Sequence, residues 1–320
     1  MRILITGGFG FVGGRLAQHF QKTGHQVILG SRNDHCPPNW LPQAEVTRTD
    51  WTDGRALEQI CKGVDVVIQA SGMNAQDCLE NPVAALEVNG LATAQLLQAA
   101  IGCFVNRFIY ISTAHVYMSP LEGTITESTC PLNLHPYATS HLAGENVVLS
   151  AGQKGLTQGI VLRMSNAFGA PTHQDANCWM LLVNDLCKQA VETGKIVLQT
   201  SGLQQRDFIG MTEVCRVVDH LCSRDDELPQ PKIVNLGSGV SQSVLEMAQL
   251  VQKRCNLVLG FKPKLMRSTE GAGERHSKLL YKGEKLLEMG IEVNSDTYTD
   301  IDDLLIFCQA TYGKSLDLTQ

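Results

Sequence analysis

The chain has 320 residues, enough for two lobes around a sizeable core, and its 26 basic and 32 acidic side chains leave a net charge of −6. With no basic block and no acidic tail, charge-driven binding to nucleic acid or to a membrane surface is excluded. No apolar run approaches the roughly 18 residues that a membrane span needs. The 11 cysteines are scattered without a CxxC pair, which predicts reduced, mostly buried thiols rather than a disulfide frame or a zinc site. The chain opens directly into MRILITGG, a buried strand and its turn, with no room for a cleaved leader; a soluble, cytoplasmic protein is the expectation.

Ile3 to Thr6 reads as an apolar strand, followed at once by GGFGFVGG and by helix-forming residues from Arg15 to Lys22. Strand, glycine turn and helix together form a dinucleotide-binding signature. Gly7, Gly10 and Gly13 let the backbone turn tightly, approach a pyrophosphate and pack helix on sheet. Phe11 and Val12 stand at the helix N-terminus, whose free N–H groups and dipole face the phosphates.

Gln26 to Leu29 is the second strand and ends in Gly30-Ser31-Arg32. An NAD enzyme usually places an acid here for the adenosine ribose. Ser31 can hydrogen-bond, and the guanidinium of Arg32 suits a 2′-phosphate, which points to NADP. The alternative is a solvated Arg32 with Asp34 as the acid, and NAD as cofactor. Asp50-Trp51-Thr52-Asp53 closes the next strand. Asp50, beside Trp51, stands where such folds hold the adenine edge, while Asp53 is equally explained as a helix N-cap.

Val64 to Ala70 is a continuous apolar strand suited to the centre of a parallel sheet, and Ser71-Gly72 turns beside the cofactor. Asn81-Pro82 begins a long helix to Ala100 with apolar surface to spare for a dimer contact. Phe108 to Ser112 is another buried strand, leading into Thr113-Ala114-His115-Val116-Tyr117. A helix from His135 to Leu149 and a strand from Val161 to Met164 follow. Beyond it the alternation loosens: a helix over Trp179–Val191, a short strand over Ile196–Gln199, a turn at Gln205–Ile209 into another strand, a strand over Ile233–Leu236 and a helix over Val244–Lys253.

The runs ITGGFGFVG, YISTAHVY, YATSHLAGE, LRMSNAFG, RDFI and NLGSG occur in the order found in the extended short-chain dehydrogenase/reductases, and residues 1 to about 305 resemble that family's nucleotide-sugar branch. The resemblance implies an α/β fold: a Rossmann-type doubly wound parallel sheet with a smaller C-terminal α/β substrate lobe. Residues 1–165 plus 208–235 would form the NADP-binding domain, with 208–235 returning to the sheet, and 166–207 and 236–320 the nucleotide-sugar-binding lobe. It also implies cofactor contacts from Ala70, Ser71, Tyr137 and His141, and a homodimer through a four-helix contact. A ketone accepting hydride needs a proton donor and a group polarising its oxygen; Tyr137 and Thr113 fill those roles. Asn166 and Arg206 match positions that contact the nucleotide diphosphate, and Arg275 matches more loosely. His115 lines the same pocket.

One position departs from the family. Tyr137 and the residue four further on share a helix face, and that residue is usually a lysine that holds the ribose and lowers the tyrosine's pKa. Here it is His141, shorter and mostly neutral at pH 7. Lys154 cannot replace it, since it lies about 20 Å further along the helix. His141 either does the work at reduced efficiency, or water and His115 share it, or catalysis is lost while binding persists. A metal site from His115, His135 and His141 lacks supporting ligand spacing, and no metal is expected. Ala114 and His115 stand where the family's dehydratases carry an Asp-Glu pair, which disfavours dehydration. The sequence therefore points to NADPH-dependent reduction of a nucleotide-linked 4-keto-6-deoxyhexose, with a 4-epimerase or an impaired cofactor- and nucleotide-binding subunit as alternatives.

Overall fold

A computed structural model describes residues 1–223, 232–268 and 278–313. The chain begins with β1 (Arg2–Thr6), α1 (Phe11–Lys22), β2 (Gln26–Ser31), β3 (Glu45–Arg48), α2 (Gly54–Cys61) and β4 (Val66–Gln69). Next come α3 (Ala75–Glu80) and α4 (Pro82–Ala85), which runs through a π-helical turn (Leu86–Leu91) into α5 (Ala92–Gly102). β5 (Arg107–Thr113), β6 (Gly123–Ile125), α6 (Pro136–Gln153), β7 (Gln158–Met164) and β8 (Asn166–Phe168) follow. The remainder comprises α7 (Leu182–Thr193), β9 (Lys195–Leu198), β10 (Gln205–Gly210), α8 (Met211–Ser223), β11 (Ile233–Leu236), β12 (Ser241–Ser243) and α9 (Val244–Leu259). It ends with β13 (Lys264–Arg267), β14 (Leu279–Tyr281), α10 (Glu284–Glu288) and α11 (Tyr298–Tyr312).

Seven parallel strands form the main sheet in the order β11-β7-β5-β4-β1-β2-β3. Its strands are apolar on both faces because both are covered. Ile3, Ile5, Ile68 and Ile109 pack under Leu16 and Phe20 of α1 and Val214, Val217 and Leu221 of α8. The intervening Leu4, Val67, Phe108 and Tyr110 pack under Leu57 of α2, Leu96 and Ala100 of α5, and Val148 of α6. The two-residue alternation of strand side chains sorts them between the two helical layers. Strand order reverses at β1, with β2 on one side and β4 on the other, so a crevice opens at the carboxyl ends of these strands. A second core joins α7, α9 and α11 through Leu186, Met247, Val251, Ile301 and Leu304, against Phe168 of β8 and Phe208 of β10. No described helix is long and apolar enough to cross a membrane.

The elements depart from the sequence expectations at definite places. α1 starts at Phe11 rather than Arg15, because Gly13 and Gly14 are helical and buried against the sheet. The helix expected over 82–100 carries the π-turn, which draws the polar Asn89 fully inside. α8 and α11 were not foreseen, although buried Val214, Val217, Val218 and Leu221 carry an ordinary helical period. The strand expected beyond a turn at 205–209 begins at Gln205 itself, and β10 pairs with β8 and β12.

α6 crosses the π-turn very closely. A Cβ on Gly144 would lie 2.6 Å from the Asn89 carbonyl oxygen and 2.8 Å from the Tyr110 hydroxyl. Gly144→Ala should therefore cost about 1–3 kcal/mol despite alanine's better helix propensity. Gly102→Ala, where an added Cβ meets nothing within 4 Å, should be neutral or slightly stabilising. Denaturant unfolding of the two variants checks the contrast.

Candidate active site

The glycine turn is built for close approach. Gly7 has φ +64°, and a Cβ there would press on Ser71 Cα at 2.9 Å. A Cβ on Gly13 would lie 2.3 Å from the Gly7 oxygen, so helix and turn need both glycines. Gly10 caps α1 without a side-chain bond, and no acid stands in the first turn. The N–H groups around Phe11 and Val12 and the positive helix end thus fit a dinucleotide's phosphates.

Ala70 and Ser71 line the other side of this crevice, both half-buried at the end of β4. At the end of β2, Ser31 Oγ accepts from its own Asn33 N–H at 3.2 Å. Arg32 is exposed, and no described residue hydrogen-bonds or pairs with it. Asp50 is closed into its own turn, accepting from Thr52 N at 3.0 Å and Thr52 Oγ1 at 2.7 Å. Those bonds, aided by Arg48, hold its carboxyl below the usual range. Trp51 packs against the α2–α5 side of the core, and Asp53 is the N-cap of α2, bonded to Arg55 N and Ala56 N.

α6 carries both Tyr137 and His141. Its N-cap is His135, whose Nδ1 accepts from Tyr137 N at 3.1 Å, with Pro136 in the first turn. Tyr137 is half-buried, and the Thr113 side chain is close enough to its phenol to act on its pKa. Burial raises the phenol's pKa above its ordinary value, and the nearby Thr113 side chain only partly opposes this. Thr113, at the end of β5, also accepts from His115 N at 3.1 Å.

His141 stacks edge-on to Tyr137, ring centroids 4.6 Å apart, and is only 5% exposed. Its Nδ1 lies 2.9 Å from the Tyr110 hydroxyl. Burial pushes the imidazole down to about 4, so at neutral pH it carries no charge. Sequence and structure thus agree on which residues meet here, and burial makes His141 even less basic than its unperturbed value. Among the described residues no cation acts on Tyr137 to draw off its proton.

Nearby, Asn133 joins two histidines: its Nδ2 donates to the His115 carbonyl at 2.7 Å, and its Oδ1 accepts from His135 N at 3.0 Å. Burial lowers the pKa of His115, and the charges of Arg206 and His135 lower it further. Arg206 is half-buried, and no described residue forms an ion pair or hydrogen bond with it. The neighbouring Asp207 instead takes bonds from Ser165, Ser238 and Gly239. Asn166 is engaged in the fold, donating from Nδ2 to the Asp207 carbonyl at 2.8 Å. Arg275 lies outside the described residues.

The sequence reading missed a buried polar chain beneath this site. Thr6 bonds Gln69, and Gln69 Nε2 donates to Thr93 Oγ1 at 3.1 Å. Thr93 Oγ1 donates to the Asn89 carbonyl at 2.8 Å, and the Tyr110 hydroxyl lies 3.2 Å from the same oxygen. Asn89 also bonds Ser140 Oγ at 2.9 Å and Met73 N at 2.9 Å. The available signals were a glutamine inside an apolar strand and an asparagine inside an apolar helix.

The sequence profile of the NAD dependent epimerase/dehydratase family matches residues 3–237. A dTDP-glucose 4,6-dehydratase of Streptomyces niveus is 24% identical, over 80% of this chain and 78% of its own. A dTDP-6-deoxy-L-talose 4-dehydrogenase (NAD(P)(+)) of Kitasatospora kifunensis is 25% identical, over 78% of each chain. The crystal structure of a UDP-glucose 4-epimerase of Thermotoga maritima with UDP-glucose superposes with a TM-score of 0.79, at 19% identity, over 97% of this chain and 99% of that one. This last likeness concerns the fold.

The depressed imidazole has a thermodynamic consequence. Between pH 6.5 and about 4 the unfolded chain protonates His141 while the native chain does not. Its stabilising contribution is complete above pH 6.5 and falls by about 3 kcal/mol as the pH drops to 4. Urea unfolding across this window should show a shallower acid loss for His141→Gln than for the wild type.

Proposed function

We propose that this chain, which belongs to the NAD dependent epimerase/dehydratase family, reduces a keto group on a nucleotide-linked sugar at the expense of NADPH. The reading rests on one observation: Tyr137 is a half-buried phenol near Thr113 whose pKa is raised, with its ring 4.6 Å from that of a neutral histidine one turn away. A 4-epimerase must first remove a hydroxyl proton, which needs a phenolate. A reductase asks the same tyrosine only to give a proton, and a raised pKa keeps that proton in place at pH 7. The missing cation therefore favours the reductive direction.

Bound NADPH supplies the hydride. Thr113 and Tyr137 hydrogen-bond the substrate's carbonyl oxygen, and the phenol passes its proton to that oxygen as negative charge develops there. Tyr137 recovers a proton from water. Arg206, with His115 and His135 beside it, meets the nucleotide diphosphate; its lack of a carboxylate partner among the described residues supports this. Asn166 belongs to the same substrate wall, at the start of the lobe proposed for residues 166–207 and 236–320. Exposed Arg32, with no acid on the β2 end, supports NADPH over NADH. Val83, Leu86 and Leu91 are exposed along the helical run from α4 to α5 and support a homodimer through that run and α6.

NADPH oxidation at 340 nm with a panel of nucleotide 4-keto-6-deoxy sugars tests the reading. Turnover is expected, and Tyr137→Phe should reduce it at least about 100-fold with little change in NADPH affinity. Interconversion of UDP-sugars without net NADPH oxidation would establish an epimerase instead. Saturable NADPH binding with neither activity would leave a binding subunit. Separately, Arg32→Ala should weaken NADPH about tenfold or more and NADH hardly at all; equal losses would point to NAD.

A further inference from the structure

Tyr110 is 1% exposed, and its hydroxyl lies 2.9 Å from His141 Nδ1 and 3.2 Å from the Asn89 carbonyl oxygen. A carbonyl only accepts, and a phenol has a single proton to give. If Tyr110 gave that proton to His141, its oxygen would face the Asn89 oxygen with no hydrogen between them. If it gives the proton to Asn89, the imidazole must supply its own proton from Nδ1, and both contacts become hydrogen bonds. The second arrangement pairs every polar atom in this enclosed spot, and the low local dielectric rewards it.

The other ring nitrogen opens to the crevice. Among the described residues, the polar side-chain atoms both enclosed and unbonded are Thr172 Oγ1 and Ser241 Oγ. His141 Nε2, which has no partner there either, therefore touches accessible space. The neighbouring Cε1 lies 3.9 Å from where a Cβ on exposed Gly72 would stand, at the turn after β4. Nε2 thus faces the crevice between Gly72 and Tyr137.

We infer that Tyr110 is a positioning residue that locks His141 as its Nδ1–H tautomer, presenting Nε2 as a bare acceptor for a hydroxyl of the cofactor's ribose. The part of a dinucleotide beside the reacting ring is that sugar, so the inference rests on the proposed cofactor site. It reverses the polarity that an ammonium would have: the protein accepts a hydrogen bond there and donates none. It also joins positions 110 and 141 into one unit through the 2.9 Å contact between them.

Long-range ¹H–¹⁵N correlation of the histidine side chains in ¹⁵N-labelled wild-type protein tests this directly, with His141 identified by its contact with the Tyr110 ring. The expected spectrum at pH 7 shows Nδ1 protonated and Nε2 bare, with the Nε2 signal moving as NADPH is added. An Nε2–H tautomer in the wild type, or an Nε2 signal that NADPH saturation leaves unmoved, overturns the inference. In Tyr110→Phe the proton should move to Nε2, and NADPH affinity should fall about tenfold. An unchanged tautomer with lowered thermal stability alone would reduce Tyr110 to packing and likewise overturn the assignment. The spectra need no sugar substrate, so absent keto-sugar turnover counts against the proposed reaction and not against the tautomer.

Discussion

Where a side chain on Gly144 would stand, the Asn89 carbonyl and the Tyr110 hydroxyl come together. That missing side chain lets α6, the π-turn and β5 meet at backbone distance, and the site depends on their meeting. Tyr137, His141, Gly144, Glu145 and Val148 repeat at helical spacing along one face of α6. Each addresses a different neighbour: the crevice, the Tyr110 phenol, the π-turn, the sheet and the core. A helix held half a turn away would lose all five relations together.

The same face is anchored by charge. Glu145 takes bonds from Arg163 Nε at 3.1 Å and Nη2 at 2.6 Å, both side chains almost fully buried, and from Ser112 Oγ at 2.5 Å. Arg163 also lies over the Tyr117 ring at 4.7 Å. A buried pair of this kind adds little net stability over apolar packing, but removing one partner is expensive, so it fixes register between helix and sheet. The structure thus spends its charge on placing α6 and leaves Tyr137 in neutral surroundings.

Much of this was legible in the chain. The glycine turn, the alternation of apolar strands and helices, and the Thr113 and Tyr137 motifs are local patterns, and the fold follows them closely. His141 was visible as a departure, but its effect was not, because a histidine's basicity is set by what encloses it. Tyr110 reads as an ordinary core aromatic in an apolar strand, and only the third dimension shows its hydroxyl against an imidazole 31 residues away. Asn89 was hidden likewise: a π-turn has no reliable sequence signal, and its partners come from α6 and the loop after β4. Arg206 stood beside Asp207 in the sequence, an apparent ion pair, yet β10 turns the two side chains to different tasks because neighbours in a strand face opposite ways.

Arg206 has one more implication. Desolvating a guanidinium without a carboxylate costs free energy, and burial indeed lowers its affinity for its proton. On the proposed reading that cost is recovered when the diphosphate arrives, so binding and folding would be linked at this residue. Inorganic phosphate or sulfate in a storage buffer would then do two things at once: raise the melting temperature and occupy ground that the sugar nucleotide must win back. A buffer chosen because the protein keeps well in it would then be a competitor in the assay.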